Sequence, residues 1–201
     1  MERKSVRAPL RKLAVVGVMG AVAVVLMNTL EFPLPFFPPF LKLDFSSVPV
    51  LITSFLYGPL AGVAVALVKA LVHLLMTSTA GVGELADFLL TAAMALAAGW
   101  VYRAHKTKKG ALLACLAAVV ALVAVGALTN YFILLPFYAA AFMPMEVILS
   151  VCAAVNPAIT SVAGYIWFAA IPFNLLKGSL VAGITFLLYK RLSSALRRFT
   201  G

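Results

Sequence analysis

Apolar positions along this chain fall into long runs broken by short polar or proline-rich stretches, the pattern of helices that cross a bilayer. Leu13 to Leu30 runs for 18 residues without a charge, behind five basic groups and one acid in residues 1–12. Ala21-Val22-Ala23 would suit a signal-peptide cleavage site, but the run is long for such a peptide and continues seven residues past it, which favours a retained helix. Further runs cover residues 47–57, 60–76, 84–103, 111–135 and 165–189. The expected architecture is an all-α membrane protein, six transmembrane helices in one bundle, with residues 1–201 forming a single integral membrane domain.

The connections have their own chemistry. Glu31 to Phe40 holds Pro33, Pro35, Pro38 and Pro39 among phenylalanines, too many prolines for a helix interior, and predicts a stiff aromatic loop able to cover a cavity. Ser46 or Ser47 is placed to cap the second helix, with Pro49 in its first turn. Residues 77–83 read as a polar turn, and 136–165, with Pro144 and Pro157, as a long connection containing short interfacial helices. Tyr165 and Trp167 fall where an interfacial aromatic belt is expected.

Composition agrees with the pattern. Apolar residues make up 64% and charged residues 11%, against about 25% charged in soluble domains, and mean hydropathy is +1.10. The net charge of +10 would suit nucleic acid, but its basic residues cluster at helix ends, at Arg3 to Lys12, Arg103 to Lys109 and Lys190 to Arg198. Such clusters fit the cytoplasmic side of a cell membrane, and six crossings then place both termini there. Cys115 and Cys152 fall towards opposite faces of that topology, so a disulfide between them is not expected.

Against this background Asn174 and Lys177, three residues apart in the last run, share one helical face. A charge inside a membrane helix costs about 3 kcal/mol, so it marks either function or a side chain snorkelling to the interface. In the expected topology residues 31–47, 77–87, 129–146 and 165–177 all lie at external helix ends, and they hold five of the six acids and the asparagines Asn130 and Asn174, with Asn156 in the connection between the last two ranges. A shared external substrate pocket follows. Glu84 and Asp87 could simply complement a helix dipole, or could join Gly83 in facing a ligand. Asn130 could be an interhelical hydrogen bond or a ligand contact; Lys69 and His73 lie four apart on one face, and a lone histidine such as His73 is more often a packing or interface residue than a ligand. Apolar walls with a few placed polar groups suit a small, flat, partly polar molecule, whose imide edge Asn174 could pair and whose carbonyl Lys177 could bond. H-E-x-x-H, G-x-S-x-G and G-x-x-x-x-G-K-[ST] are absent from the sequence, so no catalytic residue, metal site or ATP-hydrolysing loop is assigned.

Leu43-Asp44-Phe45-Ser46-Ser47-Val48-Pro49, Gly58-Pro59-Leu60-Ala61-Gly62, Gly81-Val82-Gly83-Glu84-Leu85-Ala86-Asp87-Phe88, Thr129-Asn130-Tyr131 and Pro172-Phe173-Asn174-Leu175-Leu176-Lys177-Gly178 occur in that order. Together they resemble the substrate-binding S components of energy-coupling factor (ECF) transporters, and among these the riboflavin-specific members. The resemblance implies a prokaryotic cell-membrane protein that captures a vitamin without cofactor or chemistry, joins a transmembrane coupling subunit and two cytoplasmic ATPases, and topples to release ligand inside. It implies riboflavin as ligand, with flavin mononucleotide admissible if the ribityl end is open; an S component for another vitamin and a self-sufficient carrier are the alternatives. Substrate contacts then fall on Leu41, Lys42, Leu43, Asp44, Gly83, Glu84, Asp87, Asn130, Asn174 and Lys177, and docking of the coupling subunit on Ala14, Gly17 and Ala21. Asp87 stands where an amide is expected in relatives, and as a carboxylate it accepts hydrogen bonds without donating any.

Overall fold

The computed structural model describes the backbone of residues 2–200 and the side chains of residues 10–189. The tail cluster Lys190 to Arg198, and the basic side chains before Leu10, lie outside the described side chains. In chain order the elements are α1 (Glu2–Thr29), β1 (Phe32–Pro33), β2 (Lys42–Leu43), α2 (Ser47–Tyr57), α3 (Pro59–His73), α4 (Val82–Ala104), α5 (Lys108–Thr129), α6 (Leu135–Ala141), α7 (Met145–Val155), α8 (Val162–Tyr165) and α9 (Ile171–Thr200). Helix α4 packs on α3 and α5, α5 packs on α9, and α1 lies against α2 and α3.

Among the described residues, five stretches are long and apolar enough to cross a membrane: Leu10–Thr29, Pro59–Met76, Val82–Ala104, Lys108–Ala141 and Val162–Tyr189. Of the six expected segments the second, residues 47–57, is the short one, and it carries the chain from Asp44 at one end of the bundle to Phe55 beside Tyr102 at the other. Helix α2 has 11 residues, a rise of about 16 Å against a hydrocarbon thickness of about 30 Å. It packs against α1, α3, α4 and α9, and most of its side chains are buried, so it is a core element inside the bundle.

A proline brings one correction. The helix of residues 111–135 was expected to end before Pro136, because a proline lacks the N–H donor and its ring clashes with the preceding turn. Instead Pro136, like Pro172 within the last run, is absorbed by a wide turn just before it. Residues 130–134 and 166–170 form π-type turns, with Leu135 N–H donating to the Asn130 carbonyl and Ile171 N–H to the Ile166 carbonyl. The fifth helical stretch therefore runs through Pro136 to Ala141, and the last begins at Val162. Such turns often occur at functional sites. Here Asn130 starts one wide turn and Asn174 sits just beyond the other.

The proline-rich segment is tied down by a two-residue ladder, Phe32 opposite Leu43 and Pro33 opposite Lys42. Two of its aromatic residues pack inward: Phe37 lies edge-on to Phe173 at 5.3 Å, and Phe40 contacts Tyr138 at 6.2 Å and Tyr165 at 5.9 Å. The 136–165 connection contains the short apolar helix α7, as expected. Tyr165 is a correction, since it is fully buried while Trp167 is 68% exposed.

Candidate functional site

A cavity of about 270 Å³ opens where the loop after α1 meets α4, α5 and α9. Its lining includes nine of the ten predicted substrate residues: Leu41, Lys42, Asp44, Gly83, Glu84, Asp87, Asn130, Asn174 and Lys177. Leu43 is not among the lining residues; it is buried within the β1–β2 ladder, where strand alternation turns it to the other side from Lys42. Of the acids expected at this end, Glu31, Asp44, Glu84 and Asp87 line the cavity. Glu146 is exposed, and Asn156 instead accepts a hydrogen bond from Ala158 N–H.

Asp44 lies at the centre of a buried network. Its Oδ1 accepts from the Ser46 N–H at 2.8 Å and from the Ser46 hydroxyl, while its Oδ2 accepts from Lys177 Nζ at 2.5 Å. The expected capping role of Ser46 is therefore corrected: it occupies the capping position of α2 but makes no side-chain capping bond, because its hydroxyl is used in this network. Burial would raise the Asp44 carboxyl, yet the Lys177 and Lys69 ammoniums and the hydrogen bonds from Lys177 and Ser46 hold it well below the usual carboxylate range. Lys177 is thus an ion-paired cavity residue at 8% exposure, which excludes the snorkelling alternative.

A second cation was seen in sequence but given no role. Lys69 of α3 is fully buried, and its Nζ lies 2.6 Å from Asp87 Oδ2, 2.9 Å from Ser46 Oγ and 3.4 Å from Thr91 Oγ1. His73, one turn on, meets Glu84 Oε1 at 3.0 Å and lines the cavity, and Glu84 Oε2 accepts from the Thr77 and Thr79 hydroxyls. The i, i+4 spacing of Lys69 and His73 was the available signal; their carboxylate partners on α4 were not legible from it. The 77–81 turn that presents Thr79 needs positive φ at Ala80, 52°, and at Gly81, 87°. The Thr77 hydroxyl oxygen steadies it by accepting from Thr79 and Gly81 N–H.

The amides are held from behind. Asn130 Nδ2 donates to the Gly126 carbonyl and its Oδ1 accepts from the Tyr165 hydroxyl at 2.6 Å, while Asn174 Nδ2 donates to the Ala170 carbonyl at 2.8 Å. Gly126 leaves room for Asn174: a Cβ there would stand 2.5 Å from its amide nitrogen. Beyond Phe40, Ser78, Thr79 and Tyr138, which are shared by both, lies a second, mainly apolar cavity of about 460 Å³. The predicted docking residues Ala14, Gly17 and Ala21 are exposed on one face of α1, together with Leu13, Val18 and Val25.

A membrane-embedded helix bundle that encloses a polar-lined cavity beneath an aromatic loop belongs to the class of small-molecule capture proteins. Residues 11–189 match the family described as ECF transporter, substrate-specific component, and the chain belongs to that family. It is 36% identical to the riboflavin transporter RibU of Staphylococcus aureus (strain TCH60) over 188 residues, covering 94% of this chain and 93% of that protein. It is 33% identical to the riboflavin transporter FmnP of Bacillus subtilis (strain 168) over 185 residues, covering 90% and 92%. A solved S component of a bacterial ECF transporter superposes with a TM-score of 0.73 at 34% identity, covering 94% of this chain and 98% of that one. The chain is therefore a membrane transporter component that works with an ECF module, and not an enzyme.

Proposed function

We propose that this chain is the riboflavin-binding subunit of its transporter, capturing the vitamin at the external membrane face for ATP-driven uptake. One observation supports this reading above the others. Asn130, Asn174 and Lys177 converge on a single buried cavity walled by Phe40, Tyr138 and Phe173, a combination suited to a flat ring system with one hydrogen-bonding edge. Its volume of about 270 Å³ falls just below the roughly 300–1,000 Å³ usual for ligand pockets, and the adjoining apolar cavity of about 460 Å³ offers further room. Leu41, Lys42, Asp44, Gly83, Glu84 and Asp87 supply the remaining walls. Buried polar groups left unpaired by other ligands would provide the discrimination.

In this reading both termini are cytoplasmic, a transmembrane coupling subunit docks on the Ala14, Gly17 and Ala21 face, and two ATPase subunits provide the energy. Small residues at three- and four-residue spacing permit the close helix approach such docking requires. The test is spectral: detergent-purified protein should carry flavin absorbance at near-stoichiometric occupancy. Colourless protein that ignores added riboflavin but binds thiamine or biotin would overturn the flavin assignment and leave the class intact.

A further inference from the structure

Lys69 carries a charge that the cavity itself does not use. It is fully buried on α3 and is not among the cavity-lining residues, yet it reaches two elements that are. On one side it pairs with Asp87 of α4, and on the other it donates to Ser46, whose hydroxyl in turn donates to Asp44 at the base of the aromatic loop. The result is an unbroken line, Lys177 to Asp44 to Ser46 to Lys69 to Asp87, joining α9, the loop, α3 and α4. Donors and acceptors alternate from Lys177 to Lys69, and the line closes on the ion pair of Lys69 with Asp87. A buried ammonium is tolerated only when so compensated, and of the two cations in the line only Lys177 faces the cavity.

That asymmetry gives the two lysines different work. A ligand carbonyl accepting from Lys177 competes with Asp44 for the same ammonium, and that ion pair ties the base of the loop to α9, alongside the packing of Phe37 on Phe173. With Lys69 polarising Ser46, Asp44 keeps a strong donor on its other oxygen, and the loop remains fastened while Lys177 turns to the ligand. We propose that Lys69 is a positioning residue that holds the loop of residues 30–46 shut over bound ligand, and that it sets the rate of ligand release. The role of this residue in release rests on the riboflavin reading above, whereas the fastening of the loop does not.

Two substitutions separate this role from simple support of the fold. Ser46→Ala cuts the line without altering any charge or any residue of the cavity lining. Lys69→Met with Asp87→Asn removes the buried cation and its counter-ion together, so neither charge is stranded. The first readout needs no ligand: a nitroxide on Phe36→Cys, at the exposed tip of the loop, should gain mobility in both variants by electron paramagnetic resonance. The second is riboflavin release in stopped-flow fluorescence, expected to be about 10-fold faster or more in the double variant and less so in Ser46→Ala, as befits losing a charge-assisted hydrogen bond.

Label mobility and release unchanged in Ser46→Ala overturn the proposal. This holds even if the double variant releases faster, since that effect would then belong to Asp87 in the cavity. Increased mobility in both variants, with no riboflavin bound even by the parent protein, would support the fastening by Lys69 and remove the flavin assignment instead. If the double variant fails to fold, Ser46→Ala decides alone.

Discussion

At the end of the bundle away from the cavity, α4, α5 and α9 meet through Ala98, Ala111, Ala114, Cys115, Ala118 and Ala182, closed by the tilted and edge-on rings of Phe55, Tyr102 and Tyr189. There the Tyr102 and Tyr189 hydroxyls satisfy each other at 2.8 Å. At the cavity end the joints are ionic: Lys177 to Asp44 fastens α9 to the loop, while Lys69 to Asp87 and His73 to Glu84 fasten α3 to α4. Lipid tails are as apolar as alanine or leucine, so helices in a membrane associate by close packing of small residues or by interhelical hydrogen bonds. One end uses the first device and the other the second. The alanine seam specifies volume alone, whereas the ionic end leaves ligand-facing groups poised in a cavity, at the price of having every charge matched.

Lys177→Met breaks that contrast most strongly, because it strands Asp44 and removes a ligand donor at once. Riboflavin affinity by titration should fall about 100-fold or more, and the ligand-free protein should also lose stability, since breaking a buried pair costs about 3–5 kcal/mol. An unchanged affinity would make the ion pair purely structural. Ala118→Leu tests the other end. Overpacking a fully buried seam position costs about 1–3 kcal/mol, so the thermal midpoint should drop while the folded fraction binds riboflavin as before. A parallel loss of affinity would show that the two ends are not independent.

Gly126→Ala probes the border between the ends: the new Cβ must push the Asn174 amide aside, with affinity expected to fall about 10-fold, an energy of about 1.4 kcal/mol. The smallest effect expected is that of pH. A carboxyl depressed on folding contributes stability above its unfolded value, near 3.9, and loses it only as pH falls through the lower folded value. The Asp44 contribution should therefore be constant from pH 8 to 5 and weaken only below about pH 4, measured as the thermal midpoint of ligand-free protein against pH.

How far the cavity could be read in advance depended on distance along the chain. Asn174 with Lys177, and Gly83 with Glu84 and Asp87, were legible as pairs because residues three or four apart in one helix share a face. Tyr165 was misplaced at the interface because an aromatic near a helix end usually sits there, and nothing local announced that its hydroxyl meets Asn130, 35 positions away. Pro136 misled for a related reason: a proline forbids the ordinary helical hydrogen bond, but the neighbouring chain decides whether the helix stops or widens. Leu43 was grouped with its neighbours, although pairing with Phe32 turns it away from the cavity.

By itself, then, the order of residues determined that this is a helical membrane protein, where its long spans lie, and which polar groups collect at one end, since each follows from hydropathy and periodicity within single segments. Only the tertiary structure decided that α2 is an enclosed core helix, that Lys69 lies beneath Asp87 and Ser46, and that Asp44 reaches Lys177. The partner of a buried charge depends on how helices distant in sequence are rotated and at what depth they cross, and no spacing within one helix encodes that.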